Sequence, residues 1–345
     1  MSNAFSNIKM RSFFLWMLLG AIAAYAPLML LEGVPFVFES FMTSVSDTLV
    51  FFIFPLLWLL YKMRNHNLKF TSFLVKPKSF NWKLIIAATA MMMVFSFGIS
   101  TIQFYIVSYL APNFLLDMLN AEDLISNESI FAAIYSVISV SVYAPIMEEL
   151  IFRGFFLHRM TYKWGLKRAI IFSSLLFGLG HMDIIGAAAF GIVMCLIYLK
   201  TNSLLVCMAV HALNNLAVSA MQIGGDAIYG EAAPLRLADL RSETDLAIGI
   251  GLTVLGLLWI VPFIRKSWRN AAEKGLPPLK SRYPAQMQDN GVYSQVLIAN
   301  HFMAVELPDE IANKLKLEEN DYVRLEMQDD KVILTKATES RPKIS

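Results

Sequence analysis

Charge is what this chain has least of. Only 16% of its 345 residues are Asp, Glu, Lys or Arg, against about a quarter in an ordinary soluble domain. The deficit argues against a cytosolic protein and against intrinsic disorder. Cysteine is nearly absent too. Cys195 and Cys207 both fall inside apolar runs, which excludes a disulfide scaffold and predicts two free, buried thiols. The formal net charge of +2 offers no basic excess of the kind that neutralises nucleic-acid phosphates. What fills the chain instead is apolar: 57% of residues are hydrophobic and the mean hydropathy is +0.54.

A membrane-spanning helix takes roughly 17 to 25 apolar residues. Charge-free runs occur at Ser12–Leu31, Thr48–Tyr61, Leu84–Leu116, Ser129–Met147, Ala169–Met182, Ile184–Leu199, Thr201–Gly225 and Leu246–Ile264. They predict an all-α polytopic membrane protein with about eight transmembrane helices. The connections alternate in sign. Lys62 to Lys83 holds six basic residues and no acidic one, Arg265 to Arg282 is similarly basic, and Lys9 and Arg11 precede the first run. Glu32, Glu39 and Asp47, then Asp117, Glu122, Asp123 and Glu128, form acidic connections, and Asp226 to Asp245 is mostly acidic. The positive-inside rule then places both termini in the cytoplasm.

Ionisable residues inside such runs cost at least about 2.5–3.5 kcal/mol each on insertion scales, so each calls for a reason. The apolar pattern continues past Glu148 and Glu149 through Phe152, Phe155, Phe156 and Leu157, which extends the fourth span to about residue 160, with a turn at Trp164–Gly165. Helical rise then puts Glu148 and His181 roughly 24–26 Å from that turn, on neighbouring helices. His211 and Asn215 lie roughly 16 and 22 Å into the seventh span. Glu149 and Arg153 are four apart and can pair, as His211 and Asn215 share a face and Phe177 and His181 do. Pro145 removes a backbone hydrogen bond beside the glutamates and makes room there for water or a substrate.

Two adjacent carboxylates in a low dielectric resist joint ionisation. If Arg153 holds Glu149, Glu148 is free to take and release a proton, as a general base must. Glu148 with His181 can activate a water, while His211 and Asn215 can donate to the oxyanion of a tetrahedral intermediate. A zinc alternative uses Glu148, His181 and His211 as ligands with Glu149 as base. The absence of an H-E-x-x-H helix weakens that analogy. Otherwise no cofactor is expected. Of the remaining histidines, His158 and His66 read as interfacial, and Asp183 marks the outer end of the fifth span.

Glu148-Glu149-x-x-x-Arg153, Phe177-x-x-x-His181 and His211-x-x-x-Asn215 resemble the three motifs of the CPBP family, which takes in CAAX prenyl endopeptidases and bacteriocin-processing or immunity (Abi) proteins. The resemblance covers roughly residues 130–222. It implies a membrane protease acting on a membrane-associated protein or peptide. In that family the first glutamate activates water, the second pairs structurally with the arginine, and the last histidine and asparagine form the oxyanion hole. A site open to the cytoplasmic side of a bacterial inner membrane is the accompanying expectation. A non-proteolytic immunity or scaffold protein, binding a partner through the same cavity, is the alternative.

After the transmembrane domain of residues 1–267, residues 268–291 read as a linker, with Pro277, Pro278 and Pro284. Residues 292–337 predict a small β-rich cytoplasmic domain, followed by a tail of residues 338–345. Val323, Leu325 and Met327 alternate with Arg324 and Glu326, a turn at Asp329–Asp330 follows, and a short helix starts after Pro308. The segment resembles AbrB/MazE-like swapped-hairpin modules, which implies a homodimer through residues 292–337. Asn320 stands where such modules often carry Gly. With nine acidic and five basic side chains over residues 292–336, nucleic acid is not an expected partner.

Overall fold

The computed structural model describes residues 5, 8–30, 36–66, 68–77, 80–120, 129–229, 234–279, 296–299, 302–305, 309–318, 323–328 and 331–336. The chain divides into two compact units, Met1–Arg282 and Tyr283–Ser345. Among the described residues, seven helices of the first unit are long and apolar enough to cross a membrane, which points to an integral membrane protein. They are α1 (Met10–Leu28), α2 (Met42–Asn65), α3 (Trp82–Leu110), α4 (Ile130–Trp164), α6 (Ile184–Thr201), α7 (Leu204–Gly225) and α8 (Glu243–Arg269).

The predicted fifth span is the exception. Its helix, α5 (Leu166–Gly178), has 13 residues, a rise of about 20 Å, short of the bilayer's hydrocarbon thickness of about 30 Å. Gly178 and Gly180 bracket its end, and residues 179–183 form a turn before Asp183 caps α6 by accepting the Gly186 N–H at 2.9 Å. At the other end Gly165, with φ +79°, makes the reversal from α4 into α5, a conformation that glycine adopts without the steric cost a side chain adds.

Lipid tails are as apolar as leucine, so helix association here rests on close packing and interhelical hydrogen bonds. A close approach joins α3 to α8. A Cβ on Gly98 would run into the Thr253 amide and reach the Gly249 carbonyl at 2.6 Å, and one on Gly256 would meet the Phe95 Cβ at 2.6 Å. Two prolines reshape their helices. Pro55 and Pro145 each follow a π-helical stretch, Leu49–Ile53 and Ser139–Tyr143. A widened turn absorbs the ring and the missing amide without ending the helix.

The core of the unit holds a cluster of aromatic rings among Leu, Ile, Val and Met side chains. Phe155 packs edge-on to Phe5 and Trp58, and Phe156 to Phe13. Cys195 and Cys207 are free and buried within it. His158 is buried rather than interfacial, because its Nε2 meets the Tyr198 hydroxyl at 3.0 Å inside this core.

In the second unit β1 (Val296–Ala299) pairs antiparallel with β2 (Phe302–Val305), and β3 (Val323–Gln328) with β4 (Lys331–Lys336), Leu325 opposite Leu334. A short helix, α9, spans Asp309–Lys314. The linker from residue 280, His301, Asn320 and the turn at Asp329–Asp330 lie outside the described residues.

Candidate active site

Glu148 and Glu149 sit on α4 between two π-helical stretches, Ser139–Tyr143 on one side and Leu150–Phe156 on the other. Adjacent positions on a helix point about 100° apart, so the two carboxylates face different surroundings. Glu149 points into the core and is fully buried, whereas Glu148 is 31% exposed.

Glu149 Oε1 collects two donors. Arg153 Nη1 lies at 2.9 Å and His211 Nδ1 at 3.0 Å. Arg153 is itself 1% exposed, stacks its guanidinium 4.6 Å from the Phe177 ring centre and reaches the Gly191 carbonyl at 3.4 Å. A buried charge needs a partner and hydrogen bonds to be tolerated. Glu149 therefore carries more than the arginine pair expected from its spacing: it also fixes the ring of His211 on α7. Glu149 Oε2 and Arg153 Nε are buried without a protein partner, the pattern that an internal water satisfies.

His181 lies in the turn after α5, not on the helix itself. Its Nδ1 donates to the Phe177 carbonyl at 2.8 Å and its ring packs 4.5 Å from the Phe177 ring. The spacing of four that put the two residues on one helical face thus becomes a turn contact. Gln103 of α3 grips the same turn. Its Nε2 donates to the Met182 carbonyl at 2.7 Å, and its Oε1 accepts the Ile185 N–H at 3.3 Å. Asp183, outside the spans, has its carboxyl held above the ordinary carboxylate range by burial, against hydrogen bonds from the Gly186 amide and Ser96 and the nearby His181. Helical spacing alone marks neither Gln103 nor Asp183 as a support of the site. An uncharged amide in an apolar run was the available signal for Gln103.

With both Nδ1 atoms engaged, both Nε2 atoms turn toward Glu148. Its Oε2 lies 3.9 Å from His181 Nε2 and 3.8 Å from His211 Nε2. These separations are too long for direct hydrogen bonds and suit a small molecule shared by the three groups. They also exceed, by about half an ångström, the ligand–ligand spacing around a tetrahedral zinc ion. Among the described residues no group of three or more His, Cys, Asp or Glu is arranged to hold a metal ion.

Asn215 donates from Nδ2 to the Val140 carbonyl at 2.9 Å. The reason lies in Pro145. In the π-helical register Ala144 N–H bonds Ser139 O, so the next amide, at position 145, would bond Val140 O, and proline has none to offer. Asn215 supplies the missing donor. It is thereby tied to the widened turn beside Glu148, with one amide hydrogen left.

No curated protein and no solved structure gives a significant match to the chain. Residues 130–217 match a family model described as type II CAAX prenyl endopeptidase, Rce1-like. That stretch runs from Ile130 of α4 into α7 and contains Glu148, Glu149, Arg153, His181, His211 and Asn215.

Proposed function

We propose that the protein is an intramembrane endopeptidase of the CAAX type, hydrolysing a peptide bond in a membrane-associated protein or peptide. The observation that carries this reading is the convergence of His181 Nε2 and His211 Nε2 on Glu148 Oε2 at 3.9 and 3.8 Å, inside a stretch similar to a peptidase family.

Water placed among these atoms donates to Glu148 and to the His181 lone pair. Glu148 takes one proton as the oxygen attacks the scissile carbonyl and returns it to the leaving amine. The oxyanion needs donors. His211, held through Nδ1 by Glu149, presents Nε2 to the position of the developing oxyanion. The second amide hydrogen of Asn215 completes the oxyanion hole. Arg153 holds Glu149 in place.

The test is membrane peptidomics on cells expressing wild type or Glu148→Gln at matched abundance. Removing a general base lowers the rate by about 10²- to 10⁴-fold, so peptide termini made by wild type should vanish in the variant while its thermal unfolding is unchanged. Identical profiles with a persisting wild-type phenotype would favour the immunity or scaffold reading. A zinc mechanism comes second, favoured by the anchoring of both imidazoles through Nδ1, as metal-bound histidines usually are. Stoichiometric zinc on purified protein, lost in Glu148→Gln, would replace the metal-free chemistry.

Both termini are assigned to the cytoplasm of a bacterial inner membrane by the charge pattern and the resemblance. Residues 292–337 are assigned to dimerisation or docking in an AbrB/MazE-like manner. Unchanged crosslinking after removal of residues 292–345 would overturn that assignment.

A further inference from the structure

The turn between α5 and α6 leaves backbone groups that neither helix satisfies. The first amides of α6 have no carbonyl one turn back to bond. Asp183 takes two of them, its carboxyl accepting the Gly186 N–H at 2.9 Å and its carbonyl the Ala187 N–H at 2.9 Å. The Ile185 N–H goes instead to Gln103 Oε1 at 3.3 Å, and the Met182 carbonyl, outside both helices, accepts from Gln103 Nε2 at 2.7 Å. One primary amide thus supplies an acceptor and a donor together. Ser96 lies seven residues before Gln103, two turns back on the same face of α3, and hydrogen-bonds Asp183.

The α5 side of the turn is self-contained. The His181 N–H bonds the Gly178 carbonyl at 2.9 Å, the Gly180 N–H bonds the Phe177 carbonyl at 3.2 Å, and His181 Nδ1 meets that same carbonyl at 2.8 Å. These bonds fix the imidazole relative to the end of α5. The chain beyond it is fixed by α3, because Met182, next in sequence to His181, is held through its carbonyl by Gln103. Leu179, Met182, Ile184 and Ile185 are exposed and apolar. The flanks of the turn therefore bring no polar group to replace Gln103, and lipid offers none.

We infer that Gln103 is a positioning residue of the site, holding the His181 imidazole opposite Glu148 through the Met182 carbonyl and the Ile185 amide. It touches no reacting atom. It also lies outside residues 130–217, the stretch that matches the family model, so this support comes from a part of the chain that the likeness does not reach. Its effect on rate presupposes the endopeptidase reading, whereas its hold on the turn follows from the hydrogen bonds alone.

The test is made on the full-length protein with Gln103→Met, which matches glutamine in length and offers neither hydrogen bond. Amide hydrogen exchange in detergent should quicken over residues 179–186 and stay unchanged around the Gly165 turn. Unchanged exchange over 179–186, or an equal rise throughout the protein, would overturn the hold. Activity is read in a double-mutant cycle with His181→Ala, on a synthetic peptide carrying a cleavage sequence that wild type cuts and Glu148→Gln does not. Gln103→Met alone should lower kcat by about 10- to 10²-fold, as a displacement of about 1 Å does, with KM little changed. In the His181→Ala background it should lower kcat no further, because residues that act as a unit are not additive. An unchanged kcat, a change in KM alone, or equal losses in the two backgrounds would overturn the positioning role. Quickened exchange over 179–186, with no cleavage that depends on Glu148, would remove the endopeptidase reading and leave the hold of Gln103 on the turn standing.

Discussion

The two halves of α4 are built from similar apolar residues and behave differently. The stretch after Glu148 is enclosed: Phe155, Phe156 and Leu157 are almost wholly buried among α1, α2 and α6. The stretch before it presents Phe131 at 81% exposure, with Ile130 and Ile134 also exposed. Hydropathy cannot separate these halves, because a residue facing lipid and one facing a neighbouring helix are equally apolar. What separates them is whether neighbouring helices converge: Ser141, Pro145 and Met147 are still buried beside Glu148, and burial is lost before them, over Ile130–Ile138.

Breaking the enclosed half should cost most. Arg153→Met leaves Glu149 buried without its cation, a loss of about 3–5 kcal/mol, visible as a large drop in thermal stability in detergent. Arg153→Met combined with Glu149→Leu should recover part of it. Phe155→Ala should cost about 3–5 kcal/mol through the cavity it leaves, while Phe131→Ala in the open half should stay within about 0.5 kcal/mol. Equal losses for the two phenylalanines would erase the contrast. Asn215→Ala strands the Val140 carbonyl and should cost about 1–3 kcal/mol, with loss of cleavage. Retained cleavage would remove Asn215 from the oxyanion hole. His158→Phe, which gives up one hydrogen bond to Tyr198, should cost about 1 kcal/mol and leave cleavage unaltered.

Much of this was legible in advance where the physics is local. The apolar runs marked the spans because a helix must cover the bilayer with residues that need no water. The fifth span, α5, is apolar over Ala169–Met182 as its run indicates, but Gly178, Gly180 and the capping Asp183 end its helix early, at 13 residues. The spacing of Glu149 and Arg153 foretold their pair, because residues four apart on a helix meet. The shared hold of Arg153 and His211 on one carboxylate oxygen was not legible, since it joins α4 to α7 across 62 residues. The donor role of Asn215 toward Val140 was hidden for the same reason, although Pro145 had announced that some carbonyl would go unpaired.

By itself the sequence determined that this chain is a bundle of apolar helices, with basic and acidic connections in alternation and Glu148, Glu149, Arg153, His181, His211 and Asn215 set among apolar residues. Composition and spacing settle those points because insertion cost and helical rise act residue by residue. Only the tertiary structure decided which carboxylate is buried and which is partly exposed, and which imidazole nitrogen faces Glu148. Each of those depends on side chains brought together from distant helices, and periodicity along one helix carries no record of what lies across from it.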